Sequence, residues 1–155
     1  MKAIIIEDFF SNYRNLQQAF MDIPRFVYND HPEVQVSQLK KTDGTELSFK
    51  WPGARSKDLK EAAPFAVALF LKEMSKFGNF IPTGLPFKIY THLRLEDSNK
   101  EEFMHRDTPS ADYSSLVYLS NTNLNSGTQL YNDEGTMTTD IKFVQNRAIT
   151  FSSHY

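Results

Sequence analysis

The chain has 155 residues, a formal net charge of −2, 40% apolar and 14% aromatic residues, and no cysteine. That length favours one domain with a real core. The missing cysteine excludes disulfides, thiolate zinc sites, cysteine-ligated iron–sulfur clusters and cysteine nucleophiles.

Residues 2–7 read as a short Ile-rich strand closed by an acid. The apolar triplet Ile4-Ile5-Ile6 is too short for a secretion signal or a membrane span, so a cytoplasmic protein without a membrane partner is expected. Charges of both signs are spread along the chain with no basic block, which argues against nucleic acid. Ser11 is placed to cap a helix carrying Tyr13, Leu16, Phe20 and Ile23 at spacings of three and four, and Pro24 ends it. Residues 30–50 are polar with a Thr42-Asp43-Gly44-Thr45 turn, which predicts loop with one short hairpin.

Trp51-Pro52-Gly53-Ala54-Arg55-Ser56 predicts a bend, and Ser56 a second N-cap. Pro64 predicts a kink or restart, followed by an apolar helix through Phe77 that stops at Gly78. The period then changes. Phe87, Ile89, Thr91, Leu93 and Leu95 alternate with Lys88, Tyr90, His92, Arg94 and Glu96, a half-buried strand whose more polar side holds Tyr90, His92 and Arg94 as candidate pocket residues. Strands are further expected at 102–106, 114–120, 128–131, 136–144 and 147–153, with turns at 121–127 and 132–135. Helices first and many short strands second predict an α+β, mainly β fold: a sandwich or jelly roll with the N-terminal helices packed outside, as a single domain over 1–155.

The four histidines are His31, His92, His105 and His154, so any metal depends on these with Asp or Glu. His31, beside Asp30 in a polar loop, receives no role. In Phe103-Met104-His105-Arg106-Asp107 a strand would turn His105 and Asp107 to one side, with Cα atoms about 6.5 Å apart. An imidazole and a carboxylate so placed can share one cation, and a second histidine would complete a two-His, one-carboxylate triad that suits non-haem Fe(II). The bland alternative for a lone His-x-Asp is a surface pair on a turn.

The motifs that follow narrow the choice. His105-Arg106-Asp107 precedes Ser115-Leu116-Val117-Tyr118-Leu119-Ser120, then Ser126-Gly127-Thr128-Gln129-Leu130-Tyr131, then Val144-Gln145-Asn146-Arg147-Ala148-Ile149-Thr150-Phe151. In this order the chain resembles the Fe(II)/2-oxoglutarate-dependent dioxygenases of the prolyl-hydroxylase type, well over residues 87–155 and loosely before. The resemblance implies a double-stranded β-helix of cupin-like form, and an oxidoreductase binding Fe(II) and 2-oxoglutarate. Its substrate would be a small molecule or a peptide. It implies iron ligands at His105 and Asp107, and a carboxylate-binding tyrosine at Tyr118. The family's second histidine lies further past the late Phe than this sequence runs. Either His154 is the third ligand or the ligand lies beyond Tyr155 and the chain is truncated. The basic residue that pairs with the far carboxylate of 2-oxoglutarate would sit on the next strand, and Arg147 or Arg94 would have to replace it. A missing closing strand would leave an open sheet edge suited to a homodimer. Two further readings stand beside this one: a non-catalytic jelly-roll binding module with an incomplete metal site, and a cupin-type metal enzyme, which usually carries more histidines and a Glu.

Overall fold

The structure is a computed structural model that describes residues 3–27, 36–40, 46–50, 53–77, 87–93 and 113–152. In chain order its elements are β1 (Ile4–Ile6), α1 (Tyr13–Met21), β2 (Phe26–Val27), β3 (Val36–Lys40), β4 (Glu46–Lys50) and β5 (Ala54–Arg55). Next come α2 (Leu59–Ala62), α3 (Pro64–Met74), a 3₁₀ turn (Ser75–Phe77), β6 (His92–Leu93), β7 (Tyr113–Val117), β8 (Asn123–Tyr131), β9 (Met137–Phe143) and β10 (Ala148–Ser152). The fold is mixed α and β, with mostly antiparallel sheets, few helices and no closed barrel among the described residues. Chain contacts divide it into two compact units, Met1–Gln17 with His105–Tyr155, and Gln18–Met104. No helix among the described residues is long and apolar enough to cross a membrane.

The first unit is built on a three-stranded sheet in the order β1-β10-β7 and on the β8–β9 hairpin. The central strand, Ala148-Ile149-Thr150-Phe151-Ser152, is apolar enough to be buried on both faces, and Ala148, Ile149 and Thr150 are all buried. Alternation sends Ile149 and Phe151 to the same face. There they join Tyr118 of the β7 end, Leu130 of β8 and Ile141 of β9 in one core, with Ala3 and Phe143 packed at its margin. Between β8 and β9 the turn is legible: Asn132 Oδ1 accepts from the backbone N–H groups of Glu134 and Thr136, and Gly135 takes a positive φ of 76°. The expected turn over 121–127 is different. Asn123–Gly127 belongs to β8, and the ladder is irregular between Asn123 and Gly127.

In the second unit, β3 and β4 pair as the expected hairpin, and β2-β5-β6 form a small antiparallel sheet. Pro64 restarts the helix as expected: α2 ends at Ala62 and α3 begins with Pro64 in its first turn, where the missing N–H costs nothing. Asp58, rather than Ser56, caps α2, its carboxylate accepting from the Lys60 N–H. Ser56 is fully buried and its hydroxyl instead accepts from the Thr91 N–H at 3.0 Å. Of the strand expected from 87, the described residues 87–93 are strand only at His92–Leu93, because carbonyls before it bond to residues at the start of α2: Ile89 O accepts from the Leu59 N–H and Thr91 O from the Ser56 N–H. Gly78 and the strand expected at 102–106 lie outside the described residues.

Candidate functional site

The first unit carries a polar spot inside its apolar core. Tyr118 is buried with its ring stacked on Phe143, centroids 4.3 Å apart and planes at 23°. Its hydroxyl donates to Thr128 Oγ1 at 2.7 Å. Thr128 shares a face of β8 with the buried Leu130 and is itself half-buried. Gly127 makes this placement possible. A Cβ there would run into the Ile141 carbonyl oxygen and stand 2.9 Å from its carbon, so only glycine lets β8 close on β9 and set Thr128 opposite Ile141. Burial raises the Tyr118 pKa; the Thr128 hydrogen bond and the Arg147 charge oppose that shift, and Asp140 adds to it. The phenol is therefore a neutral donor throughout the neutral range.

The backbone of Tyr118 is pinned as firmly as its ring. Its N–H donates to Arg147 O at 3.0 Å, and its own carbonyl accepts from the Asn146 N–H at 2.7 Å. Tyr118 and Arg147, the two residues expected to hold the cosubstrate, are thus neighbours in the first unit. Arg147, however, is turned to other work. Its Nε and Nη2 grip the Glu7 carboxylate at 2.6–3.1 Å, and Nη1 donates to Lys142 O at 2.9 Å. The expected iron ligands His105, Asp107 and His154, and also His31 and Arg94, lie outside the described residues. Among the described residues no three His, Asp or Glu side chains gather where they could hold a metal ion.

The other two expected pocket residues, Tyr90 and His92, meet in the second unit around Arg55. Register pairs Arg55 with His92 across β5 and β6. The buried Arg55 guanidinium lies over the Tyr90 ring, 3.7 Å from its centroid. Tyr90 in turn meets the His92 ring edge-on at 6.4 Å. His92 keeps solvent at its edge, yet burial of its ring and then the charges of Arg55 and Arg25 lower its pKa to about 4. Arg25 is engaged by α1: its terminal nitrogens donate to the carbonyls of Phe20, Met21 and Ile23, the negative end of that helix.

Sequence reasoning gave no role to Thr128 or Arg55. Thr128 stands two residues before Leu130, so a core-facing hydroxyl was legible in the alternation. Arg55 sat inside what reads as a bend, because Pro52-Gly53 is a strong turn signal; Gly53 does turn, at a φ of 91°, but Ala54-Arg55 then enters a sheet. No protein-family model, curated protein or solved structure matches the chain.

Proposed function

We propose that this protein is a non-haem Fe(II)- and 2-oxoglutarate-dependent oxygenase that hydroxylates a small molecule or a peptide, with its β strands forming a jelly roll. The observation that carries this reading is the order of residues in the sequence: His105-x-Asp107, then Tyr118 just past β7, Gly127-Thr128 in β8 and Phe151 in β10. Two structural facts support it. The tyrosine at the cosubstrate position is an interior residue between the β1-β10-β7 sheet and the β8–β9 hairpin, and its hydroxyl is paired with a second hydroxyl. Phe151, late in the motif order, packs on the same core as Tyr118.

In this reading His105 and Asp107 would hold the iron, with His154 as the candidate third ligand, and the iron with 2-oxoglutarate and dioxygen would supply oxidative decarboxylation coupled to C–H hydroxylation. The chain's own part is to fix the ligands, orient the oxo acid and keep water out. The Tyr118–Thr128 hydroxyl pair is the part of the described residues that this reading assigns to the oxo acid's carboxylate. The described residues do not suit one at Arg147, whose nitrogens are already occupied by Glu7 and Lys142. Succinate release from 2-oxoglutarate with Fe(II), lost on Asp107→Ala, is the expected result; metal-independent or absent turnover removes the reading.

The commitment of Arg147 to Glu7 favours one second reading, a jelly-roll binding module without catalysis. Titration with Fe(II) separates the two, since the module leaves the ion unbound.

A further inference from the structure

We propose that Asn125 is a site of spontaneous covalent modification, at which the folded chain ages to isoaspartate and aspartate. The Ser126 backbone nitrogen attacks the Asn125 side-chain carbonyl carbon, Cγ. A new C–N bond forms, the Cγ–Nδ2 bond breaks, and the amide leaves as ammonia with the proton from Ser126 N. Water then opens the cyclic imide at either carbonyl, giving aspartate or its backbone-extended isomer. Either product adds one negative charge to a chain whose net charge is −2. The step asks for a side-chain amide that no hydrogen bond holds, a small following residue, and a backbone able to rotate into the attack. The other described asparagines fail the first demand. Asn121, Asn123 and Asn132 each accept a hydrogen bond at Oδ1, Asn12 and Asn15 bond to each other, and Asn146 is buried and brackets Phe10. Asn125 is exposed, its side chain makes no hydrogen bond among the described residues, and serine follows it.

The backbone meets the third demand. β9 pairs with Asn123 through Phe143 and with Gly127 through Lys142, and Leu124, Asn125 and Ser126 have no partner in that register. Rotation at residue 125 therefore breaks no ladder bond to β9. The Asn125 N–H is held by Asn123 Oδ1 at 3.0 Å, a contact that leaves the Ser126 nitrogen untouched. The close approach of Gly127 to Ile141 anchors the end of this stretch. The extra backbone atom of the isoaspartyl product falls within the unpaired residues, so Leu130 and Ile141 keep their places in the core.

The test ages the full chain at mildly alkaline pH, folded and, in parallel, unfolded in guanidinium chloride. Isoaspartate is then counted by methyl labelling with an isoaspartyl methyltransferase and located by peptide mapping in the mass spectrometer. In the folded chain Asn125 should carry most of the label, at a rate within about threefold of that in the unfolded chain, because no side-chain hydrogen bond has to be lost first. Folding should slow Asn132 and Asn146 about tenfold or more, since their hydrogen bonds must be released before ring closure. Asn125→Gln should remove the label from this peptide, and Ser126→Val, whose branched Cβ crowds the attack, should remove most of it. Folding that slows Asn125 tenfold or more, label spread evenly over the asparagines of the folded chain, or full labelling in Ser126→Val each overturns the assignment.

Discussion

Replacing Arg147 separates a structural arginine from a cosubstrate-binding one. Its fork holds Glu7 through three contacts of 2.6–3.1 Å and Lys142 O through a fourth at 2.9 Å. The Arg147 side chain is 19% exposed and that of Glu7 56%, so solvent screens the pair on one side only. Exposed pairs contribute about 0.2–1 kcal/mol, and a bidentate fork sits at the upper end. The carbonyl hydrogen bond adds about 1 kcal/mol. Arg147→Ala should therefore destabilise the chain by about 2 kcal/mol. Arg147→Lys, which keeps the charge but loses the fork, should cost about 1 kcal/mol, and Glu7→Gln about 0.5–1 kcal/mol.

Urea unfolding followed by fluorescence reads these differences, and the double variant Glu7→Gln/Arg147→Lys should cost about 0.5 kcal/mol less than the sum of the singles. Raised salt should shrink that coupling. The matched functional assay is 2-oxoglutarate affinity, which Arg147→Lys should leave within about twofold of wild type, since the arginine's hydrogen bonds are made within the protein. An Arg147→Lys chain of undiminished stability that no longer binds the oxo acid would refute the assignment of this residue to the sheet.

Three other substitutions probe the frame around the site. Gly127→Ala drives a methyl into the Ile141–Lys142 backbone, which cannot rotate away, so a loss of about 2–3 kcal/mol is expected in the same unfolding assay, and a change under about 0.5 kcal/mol contradicts the close approach. Asn146 takes a φ of 62° and brackets Phe10, its Oδ1 accepting from the Phe10 N–H at 2.9 Å and its Nδ2 donating to the Phe10 carbonyl at 3.0 Å. Asn146→Ala should cost about 2–4 kcal/mol and Asn146→Gly about 1 kcal/mol less, because glycine loses the hydrogen bonds but tolerates the backbone; equal costs would show that the left-handed conformation matters little. His92, held to about 4 when folded and near 6.5 when unfolded, binds more protons in the unfolded chain between those values. Stability therefore rises with pH across that window and is lost as pH falls through it, by about 1 kcal/mol or less because the ring edge reaches solvent; a His92→Gln chain should lack this limb, and an identical pH profile would exclude His92 as its source.

The parts of the fold that depend on neighbouring residues were legible. Pro64 restarted a helix, Asn132-Asp133-Glu134-Gly135 made a turn, and the apolar run 148–151 became a doubly buried strand, each for a local steric or hydrophobic reason. Elements whose conformation is decided by a distant partner were not. Asn123-Leu124-Asn125-Ser126-Gly127 has the composition of a turn, and β9 pairs only its ends, Asn123 with Phe143 and Gly127 with Lys142; only contact with Ile141 reveals why residue 127 is glycine. The alternation from Phe87 is plain in the sequence, yet the Ile89 and Thr91 carbonyls are claimed by Leu59 and Ser56, and Leu93 is exposed. For the candidate site, Tyr118 could be picked out by its place in the motif order. That Arg147 belongs to Glu7, 140 residues earlier in the chain, could not.

That long-range pairing has a consequence for the hydroxyl pair. The N-terminal segment reaches the Tyr118 strand end at three points: Tyr13 donates its hydroxyl to the Leu119 carbonyl, Phe10 is held by the Asn146 side chain, and Phe9 N–H donates to Asn146 O at 2.8 Å. Asn146 in turn donates its N–H to Tyr118 O. The phenol is thus gripped from inside by Phe143 and Thr128, and its backbone from the other side by residues that the first strand and helix bring in. The backbone, ring plane and hydroxyl of Tyr118 are each fixed by a separate partner, so the direction of this side chain is set by the fold itself.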